Sequence, residues 1–139
     1  ILGEGVLREE LQERYKRIAS IHIQGVVDYD LIYQYYAIAD IFVMPTLEDN
    51  WSLVIPEAMA CGLPVATSIY NGCHVELIKN GKNGYTFDPL KKDDILRVLD
   101  AFHKADLHKM GKYSIKLVTD YTPVQASKRI YKLCETIMK

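Results

Sequence analysis

The stretch Asp40–Thr67, DIFVMPTLEDNWSLVIPEAMACGLPVAT, decides the fold. Ile41 to Met44 is a short apolar run closed by Pro45, and it predicts a strand. Leu53 to Ala60 favours helix, Gly62 stops it, and Leu63 to Thr67 starts a second strand. Pro56 has no N–H, and its ring opposes the carbonyl four residues back, so it is tolerated only near a helix start. The helix therefore begins around Ser52 to Val54, with Ser52 as the expected N-cap. Between strand and helix lies a loop, Thr46 to Ser52, crowded with Glu48, Asp49 and Asn50. In open parallel sheets ligands bind beyond the carboxyl ends of the strands, which is where this loop falls.

The same alternation extends outward. Before this stretch, Ile1-Leu2 reads as a strand tail and Gly3-Glu4-Gly5 as a turn. Val6 to Ala19 carries apolar residues spaced by three or four, predicting a helix. Ser20 to Gln24 reads as a strand ending at Gly25, and Leu31 to Ala39 as a helix capped by Asp28 or Asp30. After it, Asn71-Gly72 is a turn and His74 to Lys79 a short helix. A loop over residues 80–84 leads to a strand at Tyr85 to Phe87. Lys91 to Lys104 is a helix with Ile95, Val98, Leu99 and Phe102 on one face, and Leu107 to Val118 is another. Thr122-Pro123 opens a last helix, lined by Ala126, Ile130, Leu133 and Ile137. Short strands alternating with helices predict an α/β fold, a Rossmann-like parallel sheet flanked by helices.

Composition narrows the function classes. The chain has 139 residues, 49% apolar and 25% charged, so one globular domain is the expectation. A net charge of −1 gives no basic field for nucleic acid, and the tyrosines are not interleaved with clustered Lys and Arg. No apolar run approaches the roughly 20 residues of a membrane span. The opening residues do not form a signal peptide. The chain starts at Ile1 as though inside an element, as a piece of a larger protein would. Three cysteines without close pairing argue against a disulfide framework or a zinc site and favour a reducing, cytoplasmic setting. Cys61 reads as a small core residue. No His, Cys and acid cluster has metal-ligand spacing.

The loop suggests a chemistry. The free N–H groups of a helix start, with the helix dipole, suit a phosphate. Glu48, Asp49 and Glu57 are ill suited to phosphate but accept hydrogen bonds from hydroxyls. Together they describe a nucleotide sugar. The same acids equally suit a structural role, favouring the helix dipole.

Several pieces in order resemble one family. Pro45-Thr46, followed by Glu57-Ala58-Met59-Ala60-Cys61-Gly62-Leu63-Pro64-Val65, resembles the donor-domain signature of the family-four retaining glycosyltransferases with the GT-B fold. Gly3-Glu4-Gly5 resembles the family's Gly-Asp/Glu-Gly-Pro motif, with Val6 in place of Pro. Gln24-Gly25-Val26-Val27, Tyr35-Tyr36-Ala37-Ile38-Ala39-Asp40, Asn71-Gly72 with Glu76, and Asn83-Gly84-Tyr85 resemble further positions. The resemblance covers nearly the whole chain.

It implies that residues 1–139 are a nucleotide-sugar (donor) binding domain, the C-terminal half of a GT-B fold cut at its N-terminal edge, with the acceptor domain absent. It implies a metal-independent hexosyl- or related glycosyltransferase. The donor would be a nucleoside-diphosphate sugar. Its sugar would pass to an acceptor glycan, lipid or other hydroxyl with configuration retained, as in polysaccharide biosynthesis. Glu57 would hold the ribose. Asp49, eight places earlier, would contact the donor sugar; the family has Glu there, and Glu48 lies one place off. Asn50, Trp51, Ser52 and Leu53 would hold sugar and diphosphate, and Gly25, Val26 and Val27 would meet the base. The phosphate-neutralising Arg and Lys and the acceptor-side catalytic residues would precede Ile1. Peripheral attachment to the inner membrane face would be settled by the acceptor domain. A same-fold epimerase or phosphorylase, or a non-catalytic nucleotide-binding module, are the competing readings. Trp51 either lines the sugar pocket or pins the loop. His74 is expected to cap or lie at the surface, His22 to be a satisfied core or face residue, and His103 and His108 to be exposed.

Overall fold

A computed structural model describes residues 1–138. The chain forms two compact units, one of Ile1–Ala37 and a second beginning at Ile38.

In the first unit, helix α1 runs Arg8–Tyr15, shorter at both ends than the expected Val6 to Ala19, and buries none of its residues. A short helix without a buried face is marginal, because nucleation is costly and packing supplies most helical stability. Here local ion pairs remain: Glu10–Arg14 at 3.8 Å, and Glu13 with Lys16. The expected strand Ser20 to Gln24 does not form. Its end instead makes a single parallel bridge, Leu2 to Gly25. Three backbone bonds accompany it: Gln24 N to Ile1 O at 2.9 Å, Gly3 N to Gly25 O at 2.8 Å, and the Ile1 amino group to His22 O at 2.6 Å. His22 is exposed, against the expectation of a core or face position. Asp28 caps as expected, accepting from Asp30 N at 3.3 Å. It opens a 3-10 turn, Tyr29–Leu31, that continues into α2, Ile32–Ala37.

The second unit holds the sheet. Strands β1 (Phe42–Met44), β2 (Val65–Ser68) and β3 (Gly84–Phe87) are parallel and lie in that order. Phe42 pairs with Val65, Met44 with Thr67, and Ser68 with Phe87. Every residue of β2 is buried, as in a central strand covered on both faces. On one face Val65 packs with Ile55 and Met59 of helix α3 (Val54–Ala60), and with Cys73, Leu77 and Ile78 at helix α4 (His74–Leu77). On the other, Ala66 and Phe87 pack with Val98 and Phe102 of helix α5 (Lys92–His103). Leu99, expected on that inner face, is 46% exposed.

Helix α6 (Leu107–Val118) follows, capped by Asp106, which accepts from Lys109 N at 2.9 Å. It borders both clusters, with Met110 in one and Leu117 and Val118 against the other. A 3-10 turn at Thr119–Tyr121 leads to helix α7, Pro123–Ile137. Thr122 caps it as its sequence predicts, accepting from Gln125 N at 3.3 Å. Its expected inner face is not buried among the described residues: Ile130 is 65%, Leu133 60% and Ile137 74% exposed.

Helix α3 ends as Gly62 requires. Leu63 N donates to Ala58 O at 3.1 Å and Gly62 N to Met59 O at 3.0 Å, with Gly62 at φ +82°, the paired bonds of a Schellman ending. Cys61, at this helix end, is exposed rather than in the core.

Candidate functional site

Because the three strands are parallel, their carboxyl ends share one edge of the sheet. Two loops meet there. Residues 45–53 leave β1 for α3, and residues 69–73 leave β2 for α4. The first loop closes on itself through Thr46, whose Oγ1 donates to Glu48 O at 2.9 Å and accepts from Glu48 N at 3.3 Å. The two loops then join. Asp49 N donates to Tyr70 O at 3.3 Å and Gly72 N donates to Asp49 O at 2.8 Å, making a parallel bridge between Asp49 and Asn71.

The side chains beneath are buried and polar. Asn71 is fully buried; its Oδ1 accepts from Cys73 N at 3.3 Å and from Cys73 Sγ at 3.0 Å. Its Nδ2 has no protein partner. The Ser52 N–H faces the Cys73 sulfur from the other loop. Burial pushes the Cys73 thiol up, assisted by the charges of Asp49 and Glu76 and opposed by the N–H groups of Ser52 and Cys73. The raised value keeps the thiol neutral and able to donate to Asn71.

This arrangement places the residues singled out by sequence. Asp49 is half-buried, and its Oδ1 accepts from Trp51 N at 3.0 Å. Glu48 and Asn50 are exposed. The Trp51 ring packs at the Ile55–Met59 cluster, with its centroid 6.3 Å from that of Tyr121. That contact pins the loop. Ser52 is buried and is not the helix cap: Leu53 holds the N-cap position, without a side-chain bond, and is itself 69% exposed. Glu57 is half-buried on the first turn of α3.

The residues expected at the base lie in the first unit. Gly25 is buried at φ +80°, Val26 is 70% exposed with its N–H 3.4 Å from Glu4 Oε1, and Val27 is half-buried. His74 is half-buried, with Nδ1 2.7 Å from Asn71 O. His103 and His108 are exposed.

Sequence reasoning marked Asn71-Gly72 as a turn but missed that it anchors the acid loop. It also missed Cys73 and Tyr121 as supports. Only the Asn-Gly pair carried a local signal. Among the described residues no group of His, Cys, Asp and Glu is placed to hold a metal ion. None of the helices there is long and apolar enough to cross a membrane.

A parallel sheet covered on both faces, with an acid-rich loop and a helix start at its carboxyl edge, is a Rossmann-like α/β architecture of the GT-B type. Residues 1–104 match the family of glycosyl transferases group 1, and the chain belongs to that family. It is 37% identical over 102 residues, 68% of its length, to a sucrose synthase of Melioribacter roseus. It is 31% identical over 100 residues, 70% of its length, to the sulfoquinovosyl transferase SQD2 of Arabidopsis thaliana. The matched part is only 13% of the first relative and 19% of the second. The fold resembles that of Anabaena HepE solved in complex with UDP, with TM-score 0.79 and 19% identity over 97% of this chain and 40% of that one.

Proposed function

We propose that this chain forms the donor side of a retaining glycosyltransferase cleft, whose acceptor wall and basic phosphate-binding residues belong to further sequence. The observation that carries the reading is the clamped loop: an acid segment held at the carboxyl edge of the sheet, directly before a helix start. A nucleoside-diphosphate sugar has three chemically distinct parts, nucleoside, diphosphate and sugar, and this segment offers a complement to each. Glu57 accepts from ribose hydroxyls, and Asp49 orients the donor sugar. The amides of the first turn of α3 face the diphosphate; Pro56 contributes none, so Val54 and Ile55 supply them. Negative charge grows on the diphosphate as the sugar leaves, and fixed N–H donors lower the barrier by stabilising it.

The names of the relatives favour transfer over epimerisation: one is a sucrose synthase and another a sulfoquinovosyl transferase. Acceptor identity is read by the remainder of the enzyme, and peripheral membrane attachment would be set there too. The three free cysteines agree with a reducing, cytoplasmic compartment.

The test is Glu57→Ala in the full-length protein. Removing a charged hydrogen-bond partner of a ribose hydroxyl costs about 1.5–3 kcal/mol, or roughly 10- to 150-fold in nucleotide affinity. UDP and ADP, with their glucose conjugates, are screened first by thermal shift, since binding to the native state raises its apparent stability. Wild-type transfer and wild-type nucleotide affinity in Glu57→Ala would remove Glu57 from the site.

A further inference from the structure

The loop bearing Asp49 and Asn50 lies directly against the turn after β2 at Gly72. A β-carbon built on Gly72 would stand 2.1 Å from Asn50 O, 3.1 Å from Asn50 C and 3.6 Å from Asp49 O. Gly72 is not among the glycines with positive φ, so its backbone conformation does not call for glycine. The requirement is steric. The atom it would strike is a backbone carbonyl, which cannot swing aside as the end of a flexible side chain does.

Gly72 is also the donor that fixes Asp49, through its N–H to Asp49 O at 2.8 Å. The far end of the loop is fixed by burial, since Ser52 is 5% exposed. The loop is therefore held at Asp49 and Ser52 and pressed against bare Cα at Asn50. Helix α3 is anchored separately, by Ile55, Ala58 and Met59, all fully buried in the core. Crowding at Gly72 must be relieved by the loop, because α3 has no comparable freedom.

We infer that Gly72 is a positioning residue for recognition of the sugar portion of the donor. Its missing side chain lets the Asn50 carbonyl seat, and this sets the height of Asp49 and Asn50 over the sheet edge. The inference rests on the proposed site, in which Asp49 serves the sugar and Glu57 the ribose. A substituent at residue 72 lifts the loop without moving Glu57. It therefore separates binding of the sugar nucleotide from binding of the nucleoside diphosphate alone.

The experiment compares Gly72→Ala with Glu57→Ala in the full-length protein. Isothermal titration measures UDP, ADP and the matching glucose conjugates. Gly72→Ala is expected to weaken the sugar nucleotide tenfold or more while changing the nucleoside diphosphate less than threefold. Glu57→Ala is expected to weaken both. Wild-type binding of both ligands by Gly72→Ala overturns the inference, as does equal loss of both. If Glu57→Ala leaves nucleotide affinity intact, the reading of the site fails, whatever Gly72→Ala does. Hydrogen exchange on the wild-type protein covers the case in which Gly72→Ala does not fold. The Asp49 and Gly72 amides should exchange together and be slowed by the sugar nucleotide more than by the diphosphate. Independent exchange, or equal slowing by both, refutes the coupling.

Discussion

Replacing Gly111 by alanine sets two physical effects against each other, and the structure says which wins. Gly111 lies mid-way along α6, where the helix crosses the Gly62 ending of α3. In an exposed helix the change would stabilise by about 0.8–1 kcal/mol through propensity alone. Here the new β-carbon would stand 2.0 Å from Gly62 O and 3.1 Å from Gly62 C. Carbon and carbonyl oxygen approach no closer than about 3.3 Å in ordinary contacts, so the gap falls short by roughly 1.3 Å. Neither side yields easily. Gly111 and Gly62 are both backbone, and Gly62 is tied into the helix ending through its bond to Met59 O. Overpacking of a rigid site costs about 1–3 kcal/mol, and rigid backbone on both sides puts this one near 3. Subtracting the propensity gain leaves a net loss of about 2 kcal/mol. For a unit of about 100 residues that lowers the melting temperature by roughly 8–16 °C. The assay is thermal unfolding with amide exchange read on peptides from α3 and α6. Gly5→Ala is the control, since its β-carbon would meet nothing within 4 Å and its φ is not positive. It should shift stability by less than about 0.5 kcal/mol. A Gly111→Ala protein as stable as wild type, or more so, would refute the close crossing of α6 over Gly62.

Two further outcomes follow from charge and burial. The Asp94 carboxyl is held below its ordinary value, first by the N–H of Asp88 and then by Arg97, so its contribution is present above the unfolded-state aspartate value and lost as pH falls through the lower folded one. Carboxyl-carbon NMR should give a midpoint below 3.8, and Asp94→Asn should remove the acid-side loss at the start of α5; a midpoint at or above 3.8 contradicts the bond from Asp88 N. Alkylation at neutral pH should modify Cys134 first and Cys61 later, because partial burial and then Glu57 raise the Cys61 thiol. Cys73, buried with a raised thiol, should react only on unfolding, and early modification there would contradict the clamp beneath the acid loop.

Much of the architecture was legible because its signals are local. The order of β1, α3 and β2 follows from the apolar run at Ile41, Pro56 near a helix start, and Gly62 after its end. Thr122-Pro123 marks the start of α7 to the residue. Chain chemistry over four or five residues decides such features, and no distant partner is needed. The acid loop was legible in the same way, since strand, loop and helix order puts it at the sheet edge. Where sequence reading went wrong, a distant contact was involved. Residues 20–24 look like a strand, but only a single bridge, Leu2 to Gly25, forms beside them. The periodicity of α7 marks an apolar face yet does not say what meets it, and Ile130, Leu133 and Ile137 stay exposed among the described residues.

The sequence by itself determined the parallel α/β order, the helix stops and the position of the acids before α3, because backbone propensity, capping and turn chemistry act between near neighbours. Only the tertiary structure decided how those acids are held. Asp49 and Gly72 are 23 positions apart, and they meet because Phe42 pairs with Val65 in a parallel register that brings the two strand ends level. From that register come the bridge at Asn71, the sulfur contact to Ser52 and the bare Cα beneath Asn50. A side-chain pattern cannot announce them, since they depend on backbone groups that every residue carries and on a β-carbon that one residue lacks.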